Sequence, residues 1–117
     1  MDVRSLSSFS KGDIWLTDLP PGSGHEQFGS RPAIILRDVA ENDLIVVIPA
    51  TKQLSAENFA FTHIIQPTKQ NGLDLESVAL IFQIRSLDKA RFKHRLGKLE
   101  KAGMDKIDGI LKEMLRL

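Results

Sequence analysis

Short apolar runs separated by turn residues occupy most of this chain, and they constrain its fold more than any other feature. Residues 33–36 and 44–48 are almost continuous aliphatic runs, and the segment 38–43 between them contains Asn42-Asp43. Runs of roughly four to eight β-branched or aliphatic residues bounded by turn residues are typical of buried strands. The two runs therefore predict a buried β-hairpin.

Four further short strands are predicted on either side of this hairpin, because each run is apolar or alternating and is bounded by proline, glycine, asparagine or aspartate. They are residues 14–17, 62–66, 77–82 and 95–99. Pro49 is predicted to close the strand 44–48, since proline cannot donate a hydrogen bond to a β-ladder. The pattern thus predicts five or six short strands connected by irregular loops.

The C-terminal tail has a different period. Met104, Ile107, Leu111, Met114 and Leu115 recur at spacings of three and four residues, which lines one face of an amphipathic helix. Short strands followed by one terminal helix predict a mainly β fold with a C-terminal α-helix, namely a small antiparallel β-barrel with the helix packed on it.

Composition excludes several kinds of protein. The 117 residues are enough for one core, so we expect a single domain over 1–117, with Trp15 as a core or rim anchor. The absence of cysteine excludes disulfides, thiolate nucleophiles and cysteine-based metal sites. His25, His63 and His94 lack the spacing of metal ligands, so we expect no metal site and no cofactor. No apolar run approaches the roughly 20 residues of a membrane span and no signal peptide is evident, which predicts a cytoplasmic protein.

Charge is unevenly distributed along the chain. Residues 85–101, here called the basic segment, contain seven Lys or Arg against two acidic residues, so they carry +5 while the whole chain carries +1. A concentrated basic segment suits a polyanionic partner. A solvated surface ribbon is the alternative interpretation.

The loop before the hairpin collects reactive side chains. His25, Glu26, Gln27 and Arg31 lie within seven residues, and Pro32 follows Arg31 directly. The residue before a proline is pushed into extended geometry, so Arg31 should stand at the first rung of a strand. A guanidinium grips phosphate in a bidentate manner and stabilises charge that develops on it. A surface ion pair is the alternative for Arg31.

Three other polar residues are candidates for a binding site. Thr51 stands at the end of a buried strand, where its hydroxyl either caps the turn or donates to a phosphate oxygen beside Arg31. Gln83 and Arg85 follow another predicted strand, and such groups read the base edges of single-stranded RNA. A satisfied core amide is the alternative for Gln83. His63 is expected to serve packing and His94 to belong to the basic segment.

Five motifs together resemble, in order and spacing, the MazF/PemK family of toxin endoribonucleases of type II toxin-antitoxin systems. They are residues 12–15, 24–27, Arg31-Pro32 with the strand that follows, 48–51 and 83–89. Each motif is weak alone, but five in register over about residues 11–115 are specific.

The resemblance implies an SH3-like barrel that forms a homodimer and binds RNA at the dimer surface. It implies metal-independent, sequence-specific cleavage of single-stranded RNA to a 2′,3′-cyclic phosphate and a 5′-hydroxyl, and inhibition by a MazE-type antitoxin. By position, Arg31 and Thr51 match the catalytic pair: Arg31 would assist proton transfer and stabilise the phosphorane, while Thr51 would hydrogen-bond a phosphate oxygen. The substrate-binding positions would be His25, Glu26, Gln27, Gln83 and Arg85.

Two other functions are compatible with the same fold. A CcdB-like toxin binds DNA gyrase without nuclease activity, and an inactive SH3-like module would only bind RNA or a peptide. Neither requires the pair formed by Arg31 and Thr51, so that pair discriminates between these functions and cleavage.

Overall fold

The structure is a computed structural model that describes residues 9–20 and 29–117. Within these residues, seven strands are followed by one α-helix, and short 3-10 turns occupy several of the connections. The elements are β1 (Asp13–Leu19), β2 (Gly29–Val39), β3 (Leu44–Thr51), β4 (Thr62–Ile65), β5 (Ser77–Leu80), β6 (Arg85–Asp88), β7 (Phe92–Lys98) and α1 (Lys101–Leu115). The predicted mainly β fold with a C-terminal helix is confirmed.

Five of the strands form a curved, barrel-like sheet. In the order β6-β3-β2-β1-β7, each strand pairs with the next in antiparallel orientation. The outer strands β6 and β7 are joined by a 3-10 turn, Lys89–Arg91, and no ladder connects them in the described residues. The barrel is therefore left open at this junction. The predicted hairpin is present as β2 and β3, with Ile34 paired with Ile48.

The far end of β3 leaves the barrel and joins a second set of strands. Ala50 and Thr51 pair with β5, and β5 pairs with β4. The prediction that Pro49 closes the strand is wrong, because β3 continues through it to Thr51. On one side Pro49 pairs with Ala33, and on the other it falls between the β6 and β5 ladders. A residue without an amide hydrogen is tolerated at such a break.

Successive side chains of β2 and β3 point to opposite faces of the sheet, and each face packs into its own apolar core. Ile35 and Val47 face the barrel core with Leu19, Ala33, Ile45 and Leu87. Ile34 and Ile48 face the opposite core, which lies beneath α1 and the second set of strands. Both faces of these strands are buried, which explains why their sequences read as almost continuous aliphatic runs.

Aromatic residues pack against the barrel core. Trp15 stacks on Phe9 with ring centroids 4.6 Å apart, and Phe9 meets Phe92 edge to face at 5.1 Å. All three rings are half-buried and contact the barrel core. Trp15 is thus the anchor that the sequence predicts.

The helix uses most of its predicted apolar stripe for the core. Met104 and Ile107 are buried, and Ile110, Leu111 and Met114 pack against the same cluster. Leu115 and Leu117 remain exposed at the C-terminus.

Candidate active site

The backbone of Arg31 is fixed in the β-sheet, while its side chain is exposed to solvent. It is the third residue of β2 and pairs with Thr17 of β1. The hydroxyl of Thr17, which is fully buried, donates to the carbonyl oxygen of Arg31 at 2.9 Å. This bond fixes the strand where Pro32 already enforces extended geometry. The prediction that Arg31 lies in an extended strand is confirmed, but its placement at the first rung is wrong, because β2 begins two residues earlier at Gly29.

A cavity of about 350 Å³ opens beside Arg31 and is here called the Arg31 cavity. Its walls come from β1, the start of β2, the end of β3, the loop before β5 and from β7. The lining residues are Leu16, Ser30, Arg31, Pro32, Ala50, Lys52, Gly72, Leu73, Asp74 and Leu96. Mainly apolar walls with a few charged groups are typical of a small-ligand site.

Thr51 lies next to this cavity without lining it. The β2–β3 ladder ends at the pair formed by Ala33 and Pro49, two residues short of both Arg31 and Thr51. Ala50 and Lys52, on either side of Thr51, line the same cavity as Arg31. The Thr51 side chain is buried, and its Oγ1 accepts a hydrogen bond from the Gln53 amide at 3.2 Å. The turn-capping contact is therefore present, and the hydroxyl retains its hydrogen for donation to a further acceptor.

Lys52 and Asp74 form an ion pair at the Arg31 cavity that the sequence did not single out. Lys52 Nζ lies 3.0 Å from Asp74 Oδ2, and both side chains are substantially exposed. The hydrogen bond from Lys52 holds the pKa of Asp74 below its usual range. Because the two residues are 22 positions apart, no local pattern reveals the pair.

Gln83 and Arg85 lie on the opposite side of β3 from Arg31. Gln83 ends a 3-10 turn after β5, and Arg85 begins β6, where it pairs with Val47. Neither residue lines the Arg31 cavity, so the structure does not bring them together with Arg31. His25, Glu26 and Gln27 lie outside the described residues.

Neighbouring acids pair with much of the basic segment. Lys89 pairs with Asp38, while Arg95 and Lys98 both approach the buried Asp13. Lys93 instead reaches towards the Arg31 cavity and donates to Ser30 Oγ at 3.3 Å. The segment is therefore partly neutralised by β1 and β2, and Lys93 adds positive charge beside Arg31.

Neither of the two described histidines lines the Arg31 cavity. His94 is exposed on β7, and His63 is half-buried on β4. Burial lowers the pKa of His63, and the nearby positive charge of Lys106 lowers it further. In the described part of the chain, no three His, Asp or Glu side chains are grouped closely enough to hold a metal ion. No described helix has the length and apolar character needed to cross a membrane.

Comparison with known sequences identifies similar proteins over most of the chain. A family model described as a PemK-like, MazF-like toxin of type II toxin-antitoxin system matches residues 10–115. The endoribonuclease MazF of Staphylococcus epidermidis is 36% identical over 104 residues, which cover 86% of this chain and 86% of that protein.

Comparison with solved structures gives a consistent result. MazF (Form-I) from Deinococcus radiodurans superposes with a TM-score of 0.74 at 28% identity, covering 92% of this chain and 96% of that one. MazE-MazF (Form-II) from the same organism gives a TM-score of 0.66 at 27% identity, covering 91% and 94%. The open barrel with its second strand set and terminal helix is therefore similar to the fold of MazF proteins.

Proposed function

Because the chain belongs to the PemK-like, MazF-like toxin family of type II toxin-antitoxin systems, we propose that this endoribonuclease cleaves single-stranded RNA at the Arg31 cavity. The family predicted from five sequence motifs is confirmed. The observation that carries the proposal is the exposed side chain of Arg31 on a cavity that is also lined by Ala50 and Lys52, the two neighbours of Thr51. A fixed positive charge beside a partly apolar cavity suits a phosphodiester with an attached ribose.

The reaction proposed here is an internal transfer within the RNA. The ribose 2′-oxygen attacks the adjacent phosphorus, so an O2′–P bond forms while the bond between phosphorus and the 5′-oxygen breaks. The 2′-hydroxyl loses a proton and the departing 5′-oxygen gains one, which gives a 2′,3′-cyclic phosphate and a 5′-hydroxyl. Negative charge accumulates on the phosphorane oxygens between these events.

Arg31 is proposed to stabilise this charge. A guanidinium is always protonated and donates two parallel hydrogen bonds to neighbouring oxygens. By stabilising the phosphorane it assists proton transfer, while the proton itself passes from the 2′-hydroxyl to the departing 5′-oxygen by way of a phosphate oxygen or water. The backbone of Arg31 is already fixed by Thr17 and Pro32, so little reorganisation is needed in the transition state. Since Arg31 supplies the positive charge at phosphorus, we propose a metal-independent reaction without a cofactor.

Thr51 is proposed to donate its hydroxyl hydrogen to a phosphate oxygen. The Gln53 amide already orients the oxygen of this hydroxyl, which directs the remaining hydrogen away from that turn. His25, Glu26 and Gln27, together with Gln83 and Arg85, stay predicted substrate-binding residues. In this proposal they read the bases that flank the cleaved bond.

The proposal extends to the assembly of the toxin. As a type II toxin of this family, it is proposed to form a homodimer in the cytoplasm and to be inhibited by a MazE-type antitoxin. Positive charge at Arg31 and Lys93 would attract an acidic antitoxin segment as well as RNA. We propose that one chain, residues 1–117, forms one domain.

The direct test compares two arginines of the same strand. Purified parental protein, Arg31→Ala and Arg37→Ala are incubated with single-stranded RNA in excess EDTA, and circular dichroism checks that each is folded. Arg37 is also exposed on β2 but does not line the cavity. We expect Arg31→Ala to lose about 10²–10³ in rate, the effect of removing one preorganised charge donor, while Arg37→Ala cleaves like the parent.

Equal cleavage by folded Arg31→Ala and parental protein would contradict the role of Arg31. Absence of cleavage by the parental protein would contradict the proposed function itself and favour a toxin that acts on gyrase or a binding module.

A further inference from the structure

The ion pair between Lys52 and Asp74 occupies an unusual place for a surface salt bridge. Both residues line the cavity that Arg31 opens onto, and their side chains are 48% and 73% exposed. Exposed ion pairs contribute little to folding stability, so stability does not account for a carboxylate beside an arginine that is proposed to bind phosphate.

Asp74 stands just after a rigid turn. The buried side chain of Asn71 accepts hydrogen bonds from the amides of Thr68 and Leu73, each at 3.0 Å, and donates to the Gln66 carbonyl at 2.8 Å. These bonds fix the backbone immediately before Asp74.

The glycine at position 72 adds a second constraint on this turn. Gly72 has a φ of +72°, and a Cβ at this position would lie 2.0 Å from the carbonyl oxygen of Leu96. The turn is therefore packed directly onto β7, and the position of Asp74 follows from that packing. Lys52 stands just beyond β3, and its ammonium lies at the end of a long side chain with several rotatable bonds, whereas the Asp74 carboxylate lies close to its own backbone.

This arrangement sets a carboxylate on a fixed backbone against an ammonium on a flexible side chain. We propose that Lys52 is a second phosphate-binding residue of the Arg31 cavity, and that Asp74 is a gate that occupies the Lys52 ammonium until an RNA phosphodiester displaces it. The inference rests on the proposed function, because it names a further substrate contact of the same site. A phosphodiester carries the same single negative charge as the carboxylate, so it replaces Asp74 as the partner of Lys52.

The gate has a defined energetic consequence. In the absence of RNA, Lys52 and Asp74 neutralise each other, which lowers the attraction of the site for anions in general. An RNA that also engages Arg31 gains enough contacts to break the exposed pair. Removing the carboxylate should therefore strengthen RNA binding, and its effect should fall on Kd and KM rather than on kcat, because the proposed reaction assigns no step to Asp74.

The test uses Asp74→Asn, Lys52→Ala and the double variant. Binding is measured by fluorescence anisotropy with a fully 2′-O-methylated RNA, which lacks the attacking hydroxyl, and cleavage of unmodified RNA gives kcat and KM. Asp105→Asn is the matched control, because Asp105 is also the exposed partner of a lysine, Lys101 at 2.9 Å, and does not line the Arg31 cavity.

We expect Asp74→Asn to tighten RNA binding by about two- to fivefold, the range that corresponds to one exposed ion pair, with kcat unchanged. Lys52→Ala should weaken binding and reduce the slope of log Kd against log salt by about 0.7, as expected for one phosphate contact on a single strand. The effect of Asp74→Asn should shrink in the Lys52→Ala background, and Asp105→Asn should bind like the parent.

Weaker binding by Asp74→Asn would overturn the gate, because it would mean that Asp74 contacts RNA directly. Additive effects of the two substitutions, or an equal gain from Asp105→Asn, would also overturn it. The binding measurement is independent of cleavage: the expected coupling without any cleavage of unmodified RNA would support the gate and contradict the proposed function.

Discussion

At the scale of single residues, the site combines a fixed backbone with side chains of different exposure. Pro32 and the Thr17 hydroxyl hold the strand at Arg31, so the exposed guanidinium projects from a rigid base. Thr51 is buried and already accepts one hydrogen bond. The two members of the proposed catalytic pair therefore differ in what a substitution would disturb.

Substitutions of Thr51 separate its two roles. Thr51→Val keeps the shape of the side chain but removes both the acceptor for the Gln53 amide and the donor to phosphate. We expect a loss of about 1 kcal/mol in the free energy of unfolding and a large decrease in kcat. Thr51→Ser retains the hydroxyl, so it should keep most of the parental free energy of unfolding and most of the parental kcat.

Urea denaturation measures the free energy of unfolding of each variant, and cleavage kinetics on the same preparations measure kcat. A Thr51→Val protein that is destabilised but cleaves at the parental kcat would show that the hydroxyl only caps the turn.

Sequence patterns reveal some of these residues and miss others. Arg31 is predictable because Pro32 dictates its local geometry and the resemblance gives it a role. Lys52 and Asp74 are not, because an ion pair between distant positions depends on how the loop before β5 packs on β7. The position of Thr51 at the end of a buried strand is also predictable, although its degree of burial is not.

At the scale of elements, the turn before β5 determines one wall of the Arg31 cavity. Asn71 satisfies the backbone of this turn, and Gly72 allows it to approach Leu96. Any side chain at position 72 would collide with the backbone of β7. Only glycine is therefore compatible with this close approach of the two backbones.

Two glycines give a matched test of this packing. Gly72→Ala would set a Cβ 2.0 Å from a backbone oxygen at positive φ, so we expect the free energy of unfolding to fall by more than the roughly 1–2 kcal/mol of left-handed strain alone. Gly109→Ala on α1 meets nothing within 4 Å and should raise it by about 1 kcal/mol, since alanine favours helix.

Chemical denaturation of both variants gives the comparison. A Gly72→Ala protein as stable as the parent would contradict the described approach of the turn to β7.

The strands themselves were predictable to different extents. Aliphatic runs revealed β2 and β3 because both faces of these strands are buried. β6 was missed, because only Leu87 of its four residues is buried and so short a pattern carries no period. The continuation of β3 through Pro49 was missed because it depends on a break between two neighbouring ladders, which is a property of the sheet.

At the scale of the whole molecule, two cores share the same central strands. The barrel core and the core under α1 lie on opposite faces of β2 and β3, and the Arg31 cavity lies where these strands meet the loop before β5. The family, the mainly β architecture and the endoribonuclease class were predicted from the sequence and are confirmed. The catalytic and substrate-binding roles stay predictions, because they depend on contacts with RNA.

We propose that the nucleophile in the cleavage is the 2′-oxygen of the RNA itself, and that Arg31 of this chain stabilises the negative charge on the phosphorane. Mass spectrometry of the RNA fragments formed in excess EDTA tests this most directly. We predict 3′ fragments that begin with a 5′-hydroxyl and 5′ fragments that end in a 2′,3′-cyclic phosphate. Fragments that carry a 5′-phosphate and a free 3′-hydroxyl, or cleavage that stops when EDTA is added, would contradict the proposed mechanism.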